Sequence, residues 1–95
     1  MDCQLTKVQL TKTLNYAKSL HDRGYIVCLR YIFREVCNID IKHVREDDIT
    51  LMYRKCLRYI LSNSKNCVYV KNKYGVVGQL ALNITLEEFH KLQNI

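Results

Sequence analysis

The sequence predicts an α+β fold that is mostly helical, with three helices, then a C-terminal β-hairpin and a short final helix. Three observations support this class. Two Thr-x-x-Gln/Glu patterns mark helix starts, apolar residues recur at helical spacing in three segments, and one later segment alternates with the period of a strand. The 95 residues fit a single domain, and hydrophobic residues make up 48% of them, a share typical of a chain with a folded core.

The first predicted helix covers residues 6–23. Thr6 and Gln9 form a T-x-x-Q capping box, in which each side chain satisfies a backbone N–H that the helix leaves without a partner. Leu5 and Leu10 stand at the positions of a hydrophobic staple, which fixes how the chain enters the helix. One apolar stripe follows, made of Leu10, Leu14, Ala17 and His21.

The second predicted helix covers residues 26–37, after Gly24, which suits the left-handed conformation that ends a helix. Arg30 and Arg34 recur at i and i+4, opposite the apolar positions, and this spacing favours a helix. A strand over residues 25–31 is the alternative, because the stretch is rich in β-branched and aromatic side chains. The apolar positions are Ile26, Leu29, Ile32, Phe33 and Val36.

A polar connector over residues 38–47 precedes the third predicted helix, residues 48–63. The alternation at residues 39–41 predicts a short strand, and Asp47 or Asp48 is predicted to cap the helix. This helix has the clearest amphipathic pattern in the chain. Its apolar stripe is Ile49, Met52, Tyr53, Cys56 and Ile60.

A β-hairpin is predicted over residues 67–84, with a turn at residues 72–75. Its second strand places Val76, Leu80, Leu82 and Ile84 on one face and Gln79, Ala81 and Asn83 on the other. Thr85 and Glu88 form a second capping box, T-x-x-E, which predicts a final helix over residues 86–93. Ile84 and Phe89 form its staple, and the side chains predicted to face the core are Leu86, Phe89 and Leu92.

The five cysteines, Cys3, Cys28, Cys37, Cys56 and Cys67, include no C-x-x-C pair. This set predicts neither a zinc ribbon nor a disulfide scaffold, and it is typical of reduced, packed thiols. Cys28 and Cys37 are expected to flank the apolar face of the second helix. The start shows no signal pattern and no apolar run has the length of a membrane span, so we expect a cytoplasmic or nuclear protein that is not secreted.

The sequence contains no recognisable catalytic apparatus. His21 belongs to an apolar stripe, His43 to the connector and His90 to the polar side of the final helix, so the histidines do not cluster. A metal site that joins Cys37 and His43 to a distant ligand is conceivable, but its spacing matches no common zinc pattern. The acidic run at residues 46–48 is explained by helix capping. The sequence therefore predicts no enzyme, metal, cofactor or small-molecule substrate.

Positive charge is the main functional signal. Fifteen Lys and Arg against nine Asp and Glu leave a formal charge of +6, with a sequence pI near 9.2. Phosphate binding needs distributed cations, and exposed aromatic rings can stack on sugars or bases. A plainer alternative is that these charges form the solvated faces of amphipathic helices. The candidate nucleic-acid-binding residues are Arg54, Lys55, Arg58, Ser62, Lys65, Lys71, Lys73 and Tyr74.

The order helix, helix, helix, hairpin resembles that of winged-helix domains. The resemblance covers most of the chain and rests on element order, with no sequence motif. It implies that the third helix, carrying Arg54, Lys55, Arg58 and Ser62, enters the DNA major groove. It also implies that residues 67–84 form the wing, with residues 71–74 at its tip. On this basis the sequence predicts a small, basic nucleic-acid-binding module with duplex DNA as partner.

A protein-interaction module is the alternative function. Such a module would be a homodimer, an adaptor or an inhibitor of a cellular factor, and it would use an apolar surface rich in tyrosine. The tyrosines that suggest it are Tyr25, Tyr31, Tyr59 and Tyr69. Composition and spacing leave both functions open.

Overall fold

The computed structural model describes residues 4–63, 80–82 and 84–93. Its elements are α1 (Lys7–Asp22), β1 (Val27–Cys28), α2 (Leu29–Ile32), α3 (Glu46–Asn63), β2 (Leu80–Ala81) and α4 (Leu86–Gln93). A π-helical turn (Phe33–Cys37) continues α2, and a 3-10 turn (Ile41–His43) lies before α3. The described part is mostly helical with a small parallel sheet, so the mostly helical α+β class is confirmed. Most of the predicted hairpin, residues 67–84, lies outside the described residues.

Both ends of α1 form as their residues predict. The Thr6 hydroxyl accepts from the Gln9 N–H at 3.1 Å, and the Gln9 side chain accepts from the Thr6 N–H at 2.9 Å. At the other end Gly24 has φ +83°, the left-handed conformation that glycine adopts without steric cost. The Tyr25 N–H then reaches back to the Leu20 carbonyl at 2.9 Å, which closes the helix with a Schellman motif.

The prediction of the second helix, over residues 26–37, is wrong at the start of the helix. Residues 27–28 form the extended strand β1, so the helix begins only at Leu29, and the strand alternative was right for these two residues. The cause is distant in sequence, because β1 pairs with β2. The helix ends in the π-helical turn, after which Asn38 takes a left-handed conformation with φ 55°.

The connector also differs from expectation. Residues 41–43 form a 3-10 turn where a short strand was predicted over 39–41, because the Asp40 carboxylate caps the turn by accepting from the Lys42 N–H at 3.1 Å. That bond and the Arg34 guanidinium hold the pKa of Asp40 below its ordinary value. α3 begins at Glu46, two residues earlier than predicted, so Asp47 and Asp48 lie in its first turn and neither precedes it as a cap.

α1 and α3 pack side by side and run in the same direction. Near their starts the Leu5 N–H donates to the Asp48 carboxylate at 3.1 Å. Towards their ends the Tyr59 hydroxyl donates to the Asp22 carboxylate at 2.8 Å. The predicted stripe of α3 faces the interior between these two ties, with Met52, Cys56 and Ile60 all buried.

The parallel pairing of β1 with β2 divides the core into two apolar clusters. Val27 pairs with Leu80 and Cys28 with Ala81, and all four side chains are buried. Since side chains alternate across a strand, Val27 and Leu80 join the main cluster between α1, α2 and α3. Cys28 and Ala81 join a smaller cluster with Ile26, Ile84 and Phe89.

α4 occupies the predicted span, Leu86–Gln93, and its capping box is confirmed. The Thr85 hydroxyl accepts from the Glu88 N–H at 3.2 Å, and Phe89 is buried as expected. Leu86 is not buried as predicted, because 49% of its surface is exposed. Within the ranges that the structure describes, no helix is both long enough and apolar enough to cross a membrane.

Candidate nucleic-acid interface

The outer face of α3 carries the basic residues that the sequence singles out. Arg54, Lys55, Arg58 and Ser62 are all exposed. They are brought together because burial of the opposite stripe fixes the rotation of the helix, and side chains three or four residues apart share one face. The helix therefore presents three cations within little more than one turn.

Two leucines lie on the same outer face. Leu51 is 39% exposed and Leu61 is 46% exposed. Leu51 precedes Arg54, Lys55 and Arg58 at i+3, i+4 and i+7, so it lies among the cations. The face is thus basic with apolar contacts, a combination that fits both phosphates and apolar groups of a ligand.

These α3 cations are not neutralised by neighbouring carboxylates in the described part of the chain. The ion pairs found there are Arg34–Asp40 at 3.1 Å, Arg45–Asp47 at 3.6 Å and Lys91–Glu87 at 3.9 Å. The acidic residues of α3 lie only in its first turn. Positive potential is therefore concentrated in the middle and second half of α3.

The other predicted site residues, Lys65, Lys71, Lys73 and Tyr74, lie outside the described residues. Their participation in one surface with α3 remains a prediction.

Tyr59 is half-buried and connects α3 to the end of α1. Its hydroxyl donates to both carboxylate oxygens of Asp22, at 2.8 and 3.0 Å. This bond, together with burial, raises the pKa of the Tyr59 phenol. The Lys18 ammonium lies 5.2 Å from the Tyr59 ring, and the ring of the buried His21 meets it edge-on at 5.7 Å. These contacts set the orientation of the basic face.

The described thiols are packed into the fold. Cys28 lies on β1, not beside a helix face as expected, and burial raises the pKa of its thiol. Burial raises the pKa of the Cys56 thiol to about 12. Cys37 is half-buried, with its sulfur 3.7 Å from the Thr13 hydroxyl. Raised pKa values keep Cys28 and Cys56 protonated near neutral pH, and a thiol is a much weaker nucleophile than a thiolate.

Among the described residues, no three His, Cys, Asp or Glu side chains are placed to hold a metal ion.

A second surface lies between α2 and α4, with the end of α1 beside it, and it includes Tyr25 and Tyr31 of the predicted tyrosine-rich surface. The rings of Tyr31 and Phe89 stack there with centroids 5.6 Å apart. One cleft of about 280 Å³ and another of about 360 Å³ lie against this stack, and both rings line both clefts. The staple of α4 signalled that Phe89 packs inward, but no local pattern identifies Tyr31, more than fifty residues away, as its partner.

Comparisons of the chain with protein-family models, with curated proteins and with solved structures gave no significant match. The resemblance to winged-helix domains therefore remains a prediction from the order of the elements. In the structure, residues 38–45 separate the second and third helices, whereas a helix-turn-helix uses a turn of three or four residues.

Proposed function

We propose that the protein is a non-enzymatic nucleic-acid-binding module, acting in the cytoplasm or nucleus, that contacts duplex DNA through the outer face of α3. The observation that carries this proposal is the exposure of Arg54, Lys55 and Arg58 on one face, without a neighbouring carboxylate partner in the described residues. Such cations exchange their counterions for phosphates at little cost, since no ion pair has to be broken first.

The dimensions of α3 suit this role. Arg54 and Arg58 are one turn apart, about 6 Å along the helix axis, and Ser62 follows one turn later. Duplex DNA carries one charge per roughly 1.7 Å of its axis, so an α-helix in the major groove meets several phosphates. Leu51 and Leu61 would lie against sugars or thymine methyl groups between these contacts.

The winged-helix arrangement is part of the same proposal. Lys65, Lys71, Lys73 and Tyr74 would then extend the contact from α3 along the DNA backbone. Binding through phosphates alone gives little sequence discrimination, so we expect affinity for duplexes of many sequences.

The test is a salt titration of binding to fluorescently labelled duplex DNA of random sequence and to RNA, followed by anisotropy. We expect affinity to fall steeply with salt. Arg54→Ala combined with Arg58→Ala should weaken binding and make the slope of log affinity against log salt shallower by about two, because each lost phosphate contact removes about 0.9.

A matched control removes the same charge elsewhere. Lys7→Ala with Lys12→Ala takes two exposed cations from α1 and should leave the slope nearly unchanged. The proposal is wrong if neither DNA nor RNA binds at low salt. Equal loss in both double variants would mean that total charge, and not the α3 face, governs binding.

A further inference from the structure

The clefts between α2 and α4 have the chemistry of a peptide-docking groove. We propose that this groove, defined by the two clefts beside the Tyr31–Phe89 stack, binds an acidic peptide segment of a partner protein. Two apolar side chains of the peptide would enter the clefts, one in each, while its carboxylates meet Arg23 and Arg30. This function is separate from nucleic-acid binding by α3.

Apolar and aromatic side chains form the walls. Leu86, 49% exposed, borders the first cleft, and Tyr25, 45% exposed, borders the second. Each cleft, about 280 and 360 Å³, is at the lower end of the volumes typical of small-molecule pockets. Two small neighbouring clefts suit two anchor side chains of one peptide better than one larger ligand.

The positive charge around the clefts favours an acidic peptide as the partner. Arg30 lines the first cleft and Arg23 lines the second, and neither forms an ion pair among the described residues. Arg34 also lines the first cleft but is paired with Asp40, and Glu35 is the one carboxylate among the described lining residues. Of the nearby carboxylates of α4, Glu88 caps the Thr85 N–H, and Glu87 lies 3.9 Å from the Lys91 ammonium in an exposed pair.

Each arginine is already held in place. Arg30 donates to the Ile84 carbonyl at 3.3 Å, Arg34 pairs with Asp40 at 3.1 Å, and the Arg23 guanidinium lies 5.3 Å from the centroid of the Tyr25 ring. An ordered guanidinium loses less conformational entropy on binding and can still offer its remaining N–H donors to a carboxylate.

An unpaired nucleic-acid base fits this surface less well. Base stacking needs the open face of a ring. Phe89 is only 6% exposed, and Tyr31 already stacks on it with 17° between the ring planes. The Phe89 ring is therefore closed to a base, and one face of the Tyr31 ring is covered.

The test is selection of random peptides displayed on phage against the folded chain, followed by anisotropy with the selected peptides made synthetically. We expect enrichment of peptides that combine Asp or Glu with a pair of large apolar residues. Leu86→Glu removes an apolar wall and adds a repelling charge, so it should weaken the selected peptides by about tenfold or more.

Val8→Glu is the matched control, because Val8 is an exposed apolar side chain, at 62%, and lies on α1 outside both proposed surfaces. It should leave peptide binding within about twofold, a change below the usual threshold for an interface contact. Circular dichroism and retained nucleic-acid binding by Leu86→Glu would establish that this variant is folded. If the chain binds no nucleic acid, the dichroism and a thermal melt serve alone, so the two proposals fail independently.

Three results would overturn the groove proposal. The first is a selection that yields no peptides, or only basic or uncharged ones. The second is equal affinity of Leu86→Glu and the original chain for the selected peptides. The third is a single-stranded oligonucleotide that competes with the peptide and loses affinity in Leu86→Glu, which would assign the groove to nucleic acid.

Discussion

The Cys56 thiol lies at the contact of α3 with α1, and only 2% of the residue is exposed. Burial disfavours the thiolate and raises its pKa from the ordinary value of 9.0 to about 12. An unfolded chain loses the Cys56 proton near pH 9.0, whereas the folded chain keeps it. The stabilisation linked to this proton is therefore complete below pH 9.0 and is lost as the pH rises towards 12.

We expect the free energy of unfolding to fall with rising pH above 9.0. This single thiol contributes a slope of up to about 1.4 kcal/mol per pH unit. Cys56→Ala should remove that slope, whatever its effect on stability at neutral pH. Urea unfolding at a series of alkaline pH values measures it.

Met52→Ala serves as the control, because Met52 is buried on the same face of α3 and carries no titratable group, so the slope should remain unchanged. Other groups with raised pKa values, such as Cys28, contribute equally to all three proteins and cancel in the comparison. Identical slopes for Cys56→Ala and the original chain would contradict the account of this thiol.

Among the helices and strands, the sequence predicts a helix end correctly where the groups that form that end are close along the chain. The capping boxes at Thr6 and Thr85 and the left-handed Gly24 all form as expected, because their partners lie within five residues along the chain. The prediction failed at Val27–Cys28, which lies inside the segment with helical spacing but extends to pair with β2. Leu86 likewise has helical spacing but remains exposed beside a cleft.

The two candidate surfaces also differ in how far the sequence predicts them. The basic face of α3 follows from one amphipathic pattern, so Arg54, Lys55 and Arg58 could be placed together from sequence. The groove between α2 and α4 joins residues that are distant in sequence, such as Arg30 and Ile84. Periodicity describes one helix face at a time and cannot reveal which two faces meet.

We expect Thr85→Ala to lower the free energy of unfolding by about 1 kcal/mol, because the Glu88 N–H loses the hydroxyl that caps it. Chemical denaturation measures the loss, and faster hydrogen exchange of the Glu88 amide locates it. Thr11→Ala is the matched control. The Thr11 hydroxyl only bonds back to the Lys7 carbonyl on exposed α1, so its removal should change stability by less than about 0.5 kcal/mol. Equal effects would argue against the cap.

At the scale of the whole molecule, the short sheet joins the two apolar clusters. Val27 and Leu80 are completely buried on one side, while Cys28 and Ala81 are buried on the other. Because both sides of this pair of strands are core, the sheet contributes by packing far more than its two-residue strands contribute by hydrogen bonds.

Leu80→Ala should therefore cost about 2–5 kcal/mol of unfolding free energy, a large share of the stability of a chain this size. Urea unfolding gives the value, with an unchanged denaturant slope as the sign that folding remains two-state. Leu61→Ala, the same substitution at a site 46% exposed, should cost less than about 0.5 kcal/mol. A small loss at Leu80 would mean that β2 does not complete the core.

The hydrogen bonds between segments that are distant in sequence also affect the rate at which the chain folds. Hydrogen bonds join Tyr59 to Asp22, Leu5 to Asp48 and Arg30 to Ile84, across separations of 37, 43 and 54 residues. Helices form within microseconds, but closing such long loops costs entropy before any contact repays it. The rate of folding is accordingly limited by the search for these encounters, and the chain folds more slowly than its helical content alone would suggest.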